Sequence, residues 1–281
     1  MKPTLVLFSD FGIDSGLVAS MHGVCARVDP ALPVYDATHL LPAFDVRAAS
    51  FCLQYTVPYW PQGTVFVSVV DPGVGTSRRG CVALLKNGSY VVTPDNGSLT
   101  HMLLHPGIEA IRQIDETVNR LPGSGGVNIF HGRDVFAYTA ARLASGKITF
   151  EQMGPVYPLE EIVTHPIIAP KAEGGKLSGM IEAADFHFGL VSSNIPMALF
   201  AENGIAYGDS LDVVITGEGR EVFHGPVPYV PSFGSVPKGA ALLMNSEMRT
   251  IQIAVNQENM TEKYGISCGS DWLISCEKQN A

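Results

Sequence analysis

Basic runs, cysteine pairs and long apolar stretches are all missing from this chain. Lys and Arg number 18 against 27 Asp and Glu, for a formal net charge of −9, and nowhere do the cations cluster. Attraction to a phosphate backbone depends on such clusters, so no nucleic-acid partner is expected. A cationic small substrate would meet no repulsion. The five cysteines, Cys25, Cys52, Cys81, Cys268 and Cys276, form no CxxC, and their number is odd. That pattern predicts reduced thiols rather than a disulfide framework. No run approaches the roughly 18 apolar residues of a membrane span, and Leu5 to Phe8 is too short for a signal-peptide core. The expectation is a cytoplasmic protein with no membrane partner. No GxxxxGK[ST] loop supports an NTPase, no GxGxxG follows the first apolar run, and no GxSxG elbow supports a serine hydrolase. No HxH, HxxxH or HExxH pair is read as reinforcing a metal site from Asp10, Asp71 and His131, so none is expected.

What is present is a series of short apolar runs that stop at carboxylates. Thr64 to Val70 is rich in β-branched residues, bounded by Gly63 and Pro72, and too short for a helix, which predicts a buried strand. Asp71 falls at its carboxyl end, followed by Pro72-Gly73-Val74-Gly75 and then by Arg78 and Arg79, either of which can turn a guanidinium back towards it. Thr4 to Phe8 follows the same design and ends in Ser9-Asp10-Phe11-Gly12. Between them, Leu17, Val18, Met21, Val24 and Cys25 recur at helical spacing after Asp14, a plausible N-cap. Further helices are predicted from Asp45 and after Phe130-His131-Gly132-Arg133-Asp134, and Asn87-Gly88 predicts a hairpin. Alternating strands and helices predict an open α/β sheet, which binds ligands at the carboxyl ends of its strands. Asp10, Asp71, Asp95 and His131 are the groups that such an edge can gather.

The pattern changes where Pro155, Pro158, Pro166 and Pro170 interrupt any helix. The reading is an N-terminal α/β domain over 1–160 with a central, mostly parallel sheet, a linker over 161–176, and a smaller C-terminal antiparallel β-barrel over 177–281. In the last region short strands such as Leu211 to Thr216 and Thr250 to Val255 alternate with turns. With 46% hydrophobic and only 16% charged residues, some apolar surface is expected between subunits.

Ser9-Asp10-Phe11-Gly12, Val70-Asp71-Pro72-Gly73-Val74-Gly75 with Arg78, Pro94-Asp95-Asn96-Gly97 and Phe130-His131-Gly132-Arg133-Asp134 together resemble the S-adenosyl-L-methionine hydroxide adenosyltransferase family, a relative of the fluorinases and chlorinases. The resemblance runs along nearly the whole chain. It implies attack of water on C5′ of S-adenosyl-L-methionine to give adenosine and L-methionine, with no cofactor, in a homotrimer whose sites lie between subunits. It carries the water-handling set onto Asp71, Arg78 and His131, either Asp71 or His131 taking the proton, and the ribose contact onto Asp10. Asp185, Phe188, Ser246, Gln252 and Val255 take substrate-contact positions. Two positions depart from the family pattern: Leu190 replaces an asparagine and Gln252 a glutamate, so adenine recognition is expected to differ. The alternatives are a halide-dependent 5′-halo-5′-deoxyadenosine synthase, distinguished by its product with chloride or fluoride, and a non-catalytic binder of adenosine or S-adenosyl-L-methionine, which returns its ligand unchanged.

Overall fold

The computed structural model describes residues 3–185 and 187–279, so Phe186 of the Asp185–Gly189 turn lies outside the described residues. The chain divides into two compact units, Met1–His165 and Pro166–Ala281.

In the first unit the elements run β1 (Leu5–Ser9), α1 (Gly16–Val28), β2 (Val34–Thr38), α2 (Val46–Thr56), β3 (Val65–Val69), β4 (Gly80–Leu85), β5 (Tyr90–Pro94), α3 (Thr100–Leu104) and β6 (Ile108–Gln113). A π-helical segment, Gly132–Ala137, then runs directly into α4 (Tyr138–Ala144). The strand order is β2-β1-β3-β5-β4-β6. The first four are parallel, and β4 pairs antiparallel with β5 and β6. The strands are apolar on both sides because both faces are covered. Leu5, Leu7, Val67 and Val92 pack with α1 and the Phe136 helix, while Val6, Phe8, Phe66 and Val91 pack with Leu53 of α2 and Met102 of α3. The α1 cap is Ser15, not Asp14; its side chain accepts the Leu17 N–H. The Asn87-Gly88 hairpin and the Asp45 cap form as the sequence predicts.

The second unit contains β7 (Lys171–Glu173), β8 (Lys176–Ala184), β9 (Val191–Pro196), α5 (Met197–Glu202), β10 (Ser210–Gly217), β11 (Arg220–Pro228), β12 (Ala241–Asn245), β13 (Thr250–Val255), α6 (Met260–Tyr264) and β14 (Gly269–Lys278). The order is β11-β10-β14-β8-β9-β13-β12, with β7 also on β8, and neighbours are antiparallel. A bridge between Tyr229 and Leu243 brings the two ends of the order together into a nearly closed barrel. Two strands differ from the sequence reading. β7 lies in the stretch expected as linker, because Gly174 and Gly175, both at positive φ, turn Lys171–Glu173 back onto β8. β9 carries Ser192, Ser193 and Asn194 in its middle, which obscures it, but the sheet satisfies the last two: Ser193 Oγ donates to the Ile251 carbonyl at 2.6 Å, and Asn194 Oδ1 accepts the Met180 N–H at 2.8 Å.

Candidate active site

Strands β1 and β3 are in register from Leu5 opposite Val65 to Ser9 opposite Val69, so Asp10 and Asp71 leave the sheet from neighbouring strand ends. After Asp71 the chain closes two tight turns, Val74 N–H to Asp71 O and Thr76 N–H to Gly73 O. Gly75 has φ +78°, and a Cβ there would stand 2.7 Å from the Asn128 carbonyl oxygen. The turns return Arg78 to Asp71: Nε donates to Oδ1 at 2.9 Å and Nη2 donates to Oδ2. The two side chains are nearly buried, and Arg78 lies 5.2 Å from the centre of the Phe136 ring. Asn96 Nδ2 donates to the Val70 carbonyl at 2.9 Å and pins the end of β3. Sequence reading placed Asn96 in a turn but not against this strand.

His131 joins the pair from the start of the π-helical segment. Arg78 Nη2 lies 2.9 Å from its Nδ1. A guanidinium has no acceptor, so Nδ1 is the lone-pair nitrogen and Nε2 carries the hydrogen of a neutral ring. His131 Nε2 and Arg78 Nη1 are buried donors without a hydrogen-bond partner among the described residues. Burial lowers the His131 pKa below the ordinary imidazole value; Arg78 and Arg120 push the same way, against Glu116 and Asp71. Gly132 is required by space, since a Cβ there would lie 2.9 Å from the Phe11 ring.

Asp71, His131 and Gly132 line a cavity of about 270 Å³ together with Asp10, Phe44 and Ile129, and Arg78 is bonded to Asp71 and His131 without lining it. The Phe44 N–H donates to Asp10 Oδ2 at 2.9 Å. Phe44 itself has φ +67°, a conformation costing on the order of 1–3 kcal/mol for a non-glycine residue and characteristic of ligand sites. Phe44 is 73% exposed and Ile129 81%, so the polar floor carries an apolar rim. Ile129 was not legible from sequence; only its place beside Phe130-His131 marked it. Asp95, by contrast, does not line the cavity. It accepts from Tyr157 Oη at 3.1 Å and Val163 N–H at 2.9 Å, and Arg79 lies 3.4 Å away. Asp95 therefore fastens the segment around Val163 to the sheet, and burial raises its pKa above the usual carboxylate value.

The second unit has a cavity of about 670 Å³ lined by His187, Phe188, Phe233, Val255, Asn256 and Glu258, among others. Of the residues carried over from the resemblance, Phe188, 74% exposed, and Val255 face it. Asp185 shapes the turn instead: its Oδ2 accepts the Phe188 N–H at 2.5 Å. Gly189, at φ +67°, packs so closely that a Cβ would meet Asn259 Cα at 2.4 Å. Ser246 and Gln252 do not line this cavity. Ser246 Oγ accepts the Thr250 N–H at 3.2 Å and closes the turn between β12 and β13. Gln252 is buried in β13 opposite Met244, one residue out of phase with Ile251 and Ile253 of the barrel core. Leu190 packs on Leu242, Met244 and Ala254.

Other chemistries find no support in the geometry. Among the described residues no group of three or more His, Cys, Asp or Glu is arranged to hold a metal; the chain does carry one HxxxH spacing that the sequence reading passed over, His101 and His105, but His101 is engaged with Ser50. Gly265 to Gly269 spells GxSxG, but it leads from α6 into β14, the reverse of a nucleophile elbow. All five cysteines are free, and burial pushes the Cys25 and Cys276 thiols up to about 12. No helix among the described residues is long and apolar enough to cross a membrane.

Residues 5–154 match the SAM hydroxide adenosyltransferase N-terminal domain, and residues 179–273 match the C-terminal domain of the same family. A Thermus thermophilus protein named (R)-S-adenosyl-L-methionine hydrolase is 35% identical over 96% of this chain and 98% of its own length. One of the same name from Salinispora tropica is 34% identical over 95% of each chain. A fluorinase from an Actinoplanes species is more distant, 24% identical over 95% of this chain and 96% of its own. The crystal structure of a conserved Thermotoga maritima protein superposes with a TM-score of 0.87 at 31% identity, covering 98% of this chain and all of the other. With both domains matched in order and relatives above 30% identity spanning nearly the full length, the chain belongs to the SAM hydroxide adenosyltransferase family.

Proposed function

We propose that this chain is an S-adenosyl-L-methionine hydrolase, in which a water held by Asp71, Arg78 and His131 attacks C5′ and releases adenosine and L-methionine. The observation that carries the reading is the buried Asp71–Arg78–His131 array, which leaves two donors unpartnered beside a carboxylate at the cavity of Asp10. The two donors hold the oxygen of the water while Asp71 takes a proton from it. His131 is a donor rather than the base in this scheme, because its Nδ1 already accepts from Arg78 and its Nε2 already carries hydrogen. The O–C5′ bond forms as the C5′–S bond breaks, and its electron pair goes to sulfur. Methionine leaves as a neutral thioether, so neither an acid nor a cofactor is needed for departure. As hydroxide and sulfonium neutralise one another, a pocket closed to bulk water favours the reaction. Alignment of oxygen and C5′ contributes on the order of 7–11 kcal/mol.

Asp10 accepts hydrogen bonds from the ribose hydroxyls, with Phe44 against the sugar. The relatives' names specify the (R) sulfonium, and the same epimer is the proposed substrate here. Phe188 and Val255 contribute the adenosine contacts, with Asp185 holding the Phe188 turn. The proposed assembly is a homotrimer in which the first unit of one subunit meets the second unit of its neighbour, and the exposed Phe44, Ile129 and Phe188 support it. A cytoplasmic location agrees with the free thiols.

The halide-using alternative is disfavoured because a halide has no proton to give and Asp71 would repel it. In water enriched in heavy oxygen, the expected product is adenosine labelled at its 5′ oxygen. Recovery of a 5′-halo nucleoside when chloride or fluoride is added, or of unchanged substrate, overturns the reading.

A further inference from the structure

Behind the cavity of Asp10, three polar side chains outside the groups assigned above form a continuous hydrogen-bonded line. His39 Nε2 lies 3.0 Å from Asp36 Oδ1, and His39 Nδ1 lies 2.6 Å from Ser9 Oγ. The carboxylate only accepts, so Nε2 bears a hydrogen; in the neutral ring Nδ1 then accepts from the Ser9 hydroxyl. Ser9 Oγ in turn accepts the Phe11 N–H at 3.3 Å. Ser9 and His39 are buried. Burial raises the Asp36 carboxyl, but hydrogen bonds from His39 and His22 outweigh it, leaving the group below its ordinary value and ionised.

The surrounding backbone directs this line at Asp10. Leu7 pairs with Asp36 but Phe8 pairs with Thr38, so Ala37 is an extra residue in β2. Such a bulge bends the strand and re-aims the side chains beside it. Gly12 N–H donates to His39 O at 2.8 Å and Leu41 N–H to Ser9 O at 3.3 Å. The two loops thus join on either side of Asp10, and the same second loop supplies Phe44 N–H to its Oδ2. Its two buried members, Ser9 and His39, are costly compared with apolar side chains of the same volume unless satisfied, and each has its partner, the line ending at the half-exposed Asp36.

We propose that Asp36, His39 and Ser9 are positioning residues that hold the Asp10 carboxylate in register with the ribose hydroxyls. The inference rests on the role of Asp10 given above. His22 also reaches Asp36 Oδ1, at 2.8 Å, but lies off the line and serves as the control.

The test compares binding of adenosine and 2′,3′-dideoxyadenosine, with KM and kcat for S-adenosyl-L-methionine measured alongside. Wild type is expected to favour adenosine by about tenfold or more, as for the loss of charge-assisted hydrogen bonds. In Ser9→Ala and Asp36→Ala that preference is expected to shrink below about threefold, with KM raised about tenfold and kcat within about twofold. Asp36→Asn, which keeps an acceptor for His39, is expected to recover most of the preference, and His22→Ala to retain all of it. Asp36→Ala, at a half-exposed side chain, carries the test if Ser9→Ala does not fold. Full preference in the folded variants overturns the positioning role alone. A wild type that binds both nucleosides equally overturns the Asp10 reading, and the inference falls with it.

Discussion

In the first unit the polar groups of the cavity are buried and bonded to one another, whereas in the second the cavity is lined by exposed Phe188 and by the turn residues after β13. Asp71, Arg78 and His131 arrive from two loops, but two-point ion pairing, the Asn96 pin and the glycine contacts leave them little freedom. The difference follows from the tasks proposed for the two regions. Charge developing at a reacting centre is stabilised only by groups already in place, because reorganising them would add to the barrier. A flat apolar base needs area and shape, which an exposed aromatic side chain supplies with less dependence on its neighbours. The first region should therefore fail sharply when altered and the second gradually.

The largest effect is expected at Asp71. Asp71→Asn keeps the shape but removes the proton acceptor, and the rate of adenosine formation should fall by about 10³-fold, in the range of general-base and electrostatic losses. Thermal unfolding should be monitored in parallel, since removing one partner of a buried ion pair costs on the order of 3–5 kcal/mol. Turnover within tenfold of wild type would break the contrast at its strongest point. Next is His131. His131→Ala is expected to lower kcat by about 10²-fold, while His131→Gln, which still presents an N–H, should recover a substantial part. Equal loss in both variants would instead make His131 the base.

A smaller, graded effect is expected with pH. The folded pKa of His131 is lowered, chiefly by burial, and the array requires the neutral ring. Activity should stay flat from neutral pH down past the ordinary imidazole value near 6.5 and then decline by up to about tenfold per pH unit below the lowered pKa. The stability contribution has the same sign. The unfolded chain binds the proton first, so the contribution is full above about pH 6.5 and is lost as pH falls from there to the folded pKa. An acid limb centred above 6.5 would contradict a buried neutral histidine.

The same contrast explains what was legible in the sequence. The strands β1 and β3 could be read because they are buried on both faces and end at Asp10 and Asp71, and parallel neighbours in register put those ends together. The tight loop was legible from Gly73 and Gly75, but its spacing alone left Arg78 and Arg79 equal candidates; the turns return Arg78 to Asp71 and send Arg79 to Glu161 and Asp95. Asp95 misled for the same reason: it also ends a strand, yet Tyr157 and Val163 from a distant segment claim it. The relay from Asp36 to Ser9 was not legible, since it depends on a bulge at Ala37 that no periodicity announces. In the second unit β9 was hidden by Ser192, Ser193 and Asn194, the last two of which find partners on other strands. Gln252 shows a further limit. Matching motifs locate positions along a strand, but the two-residue period decides which face receives each side chain.

The smallest effect is expected where the chain departs from the family pattern, at Leu190. The family resemblance implies asparagine there, and introducing it by Leu190→Asn would be a gain if a fixed amide were needed for adenine. The structure argues otherwise, because Leu190 packs on Leu242, Met244 and Ala254 rather than lining the cavity, while its carbonyl accepts the Asp185 N–H at 2.8 Å. The backbone bond survives the substitution, but apolar contact does not, at a cost of about 1–2 kcal/mol in stability. KM should change by less than about threefold, because losses in uniform binding require a group that touches the ligand. Measuring KM and the unfolding midpoint of this variant tests whether recognition here rests on area rather than on a placed polar group. A tenfold fall in KM would mean that the second cavity depends on fixed donors as the first does, and the contrast between them would not stand.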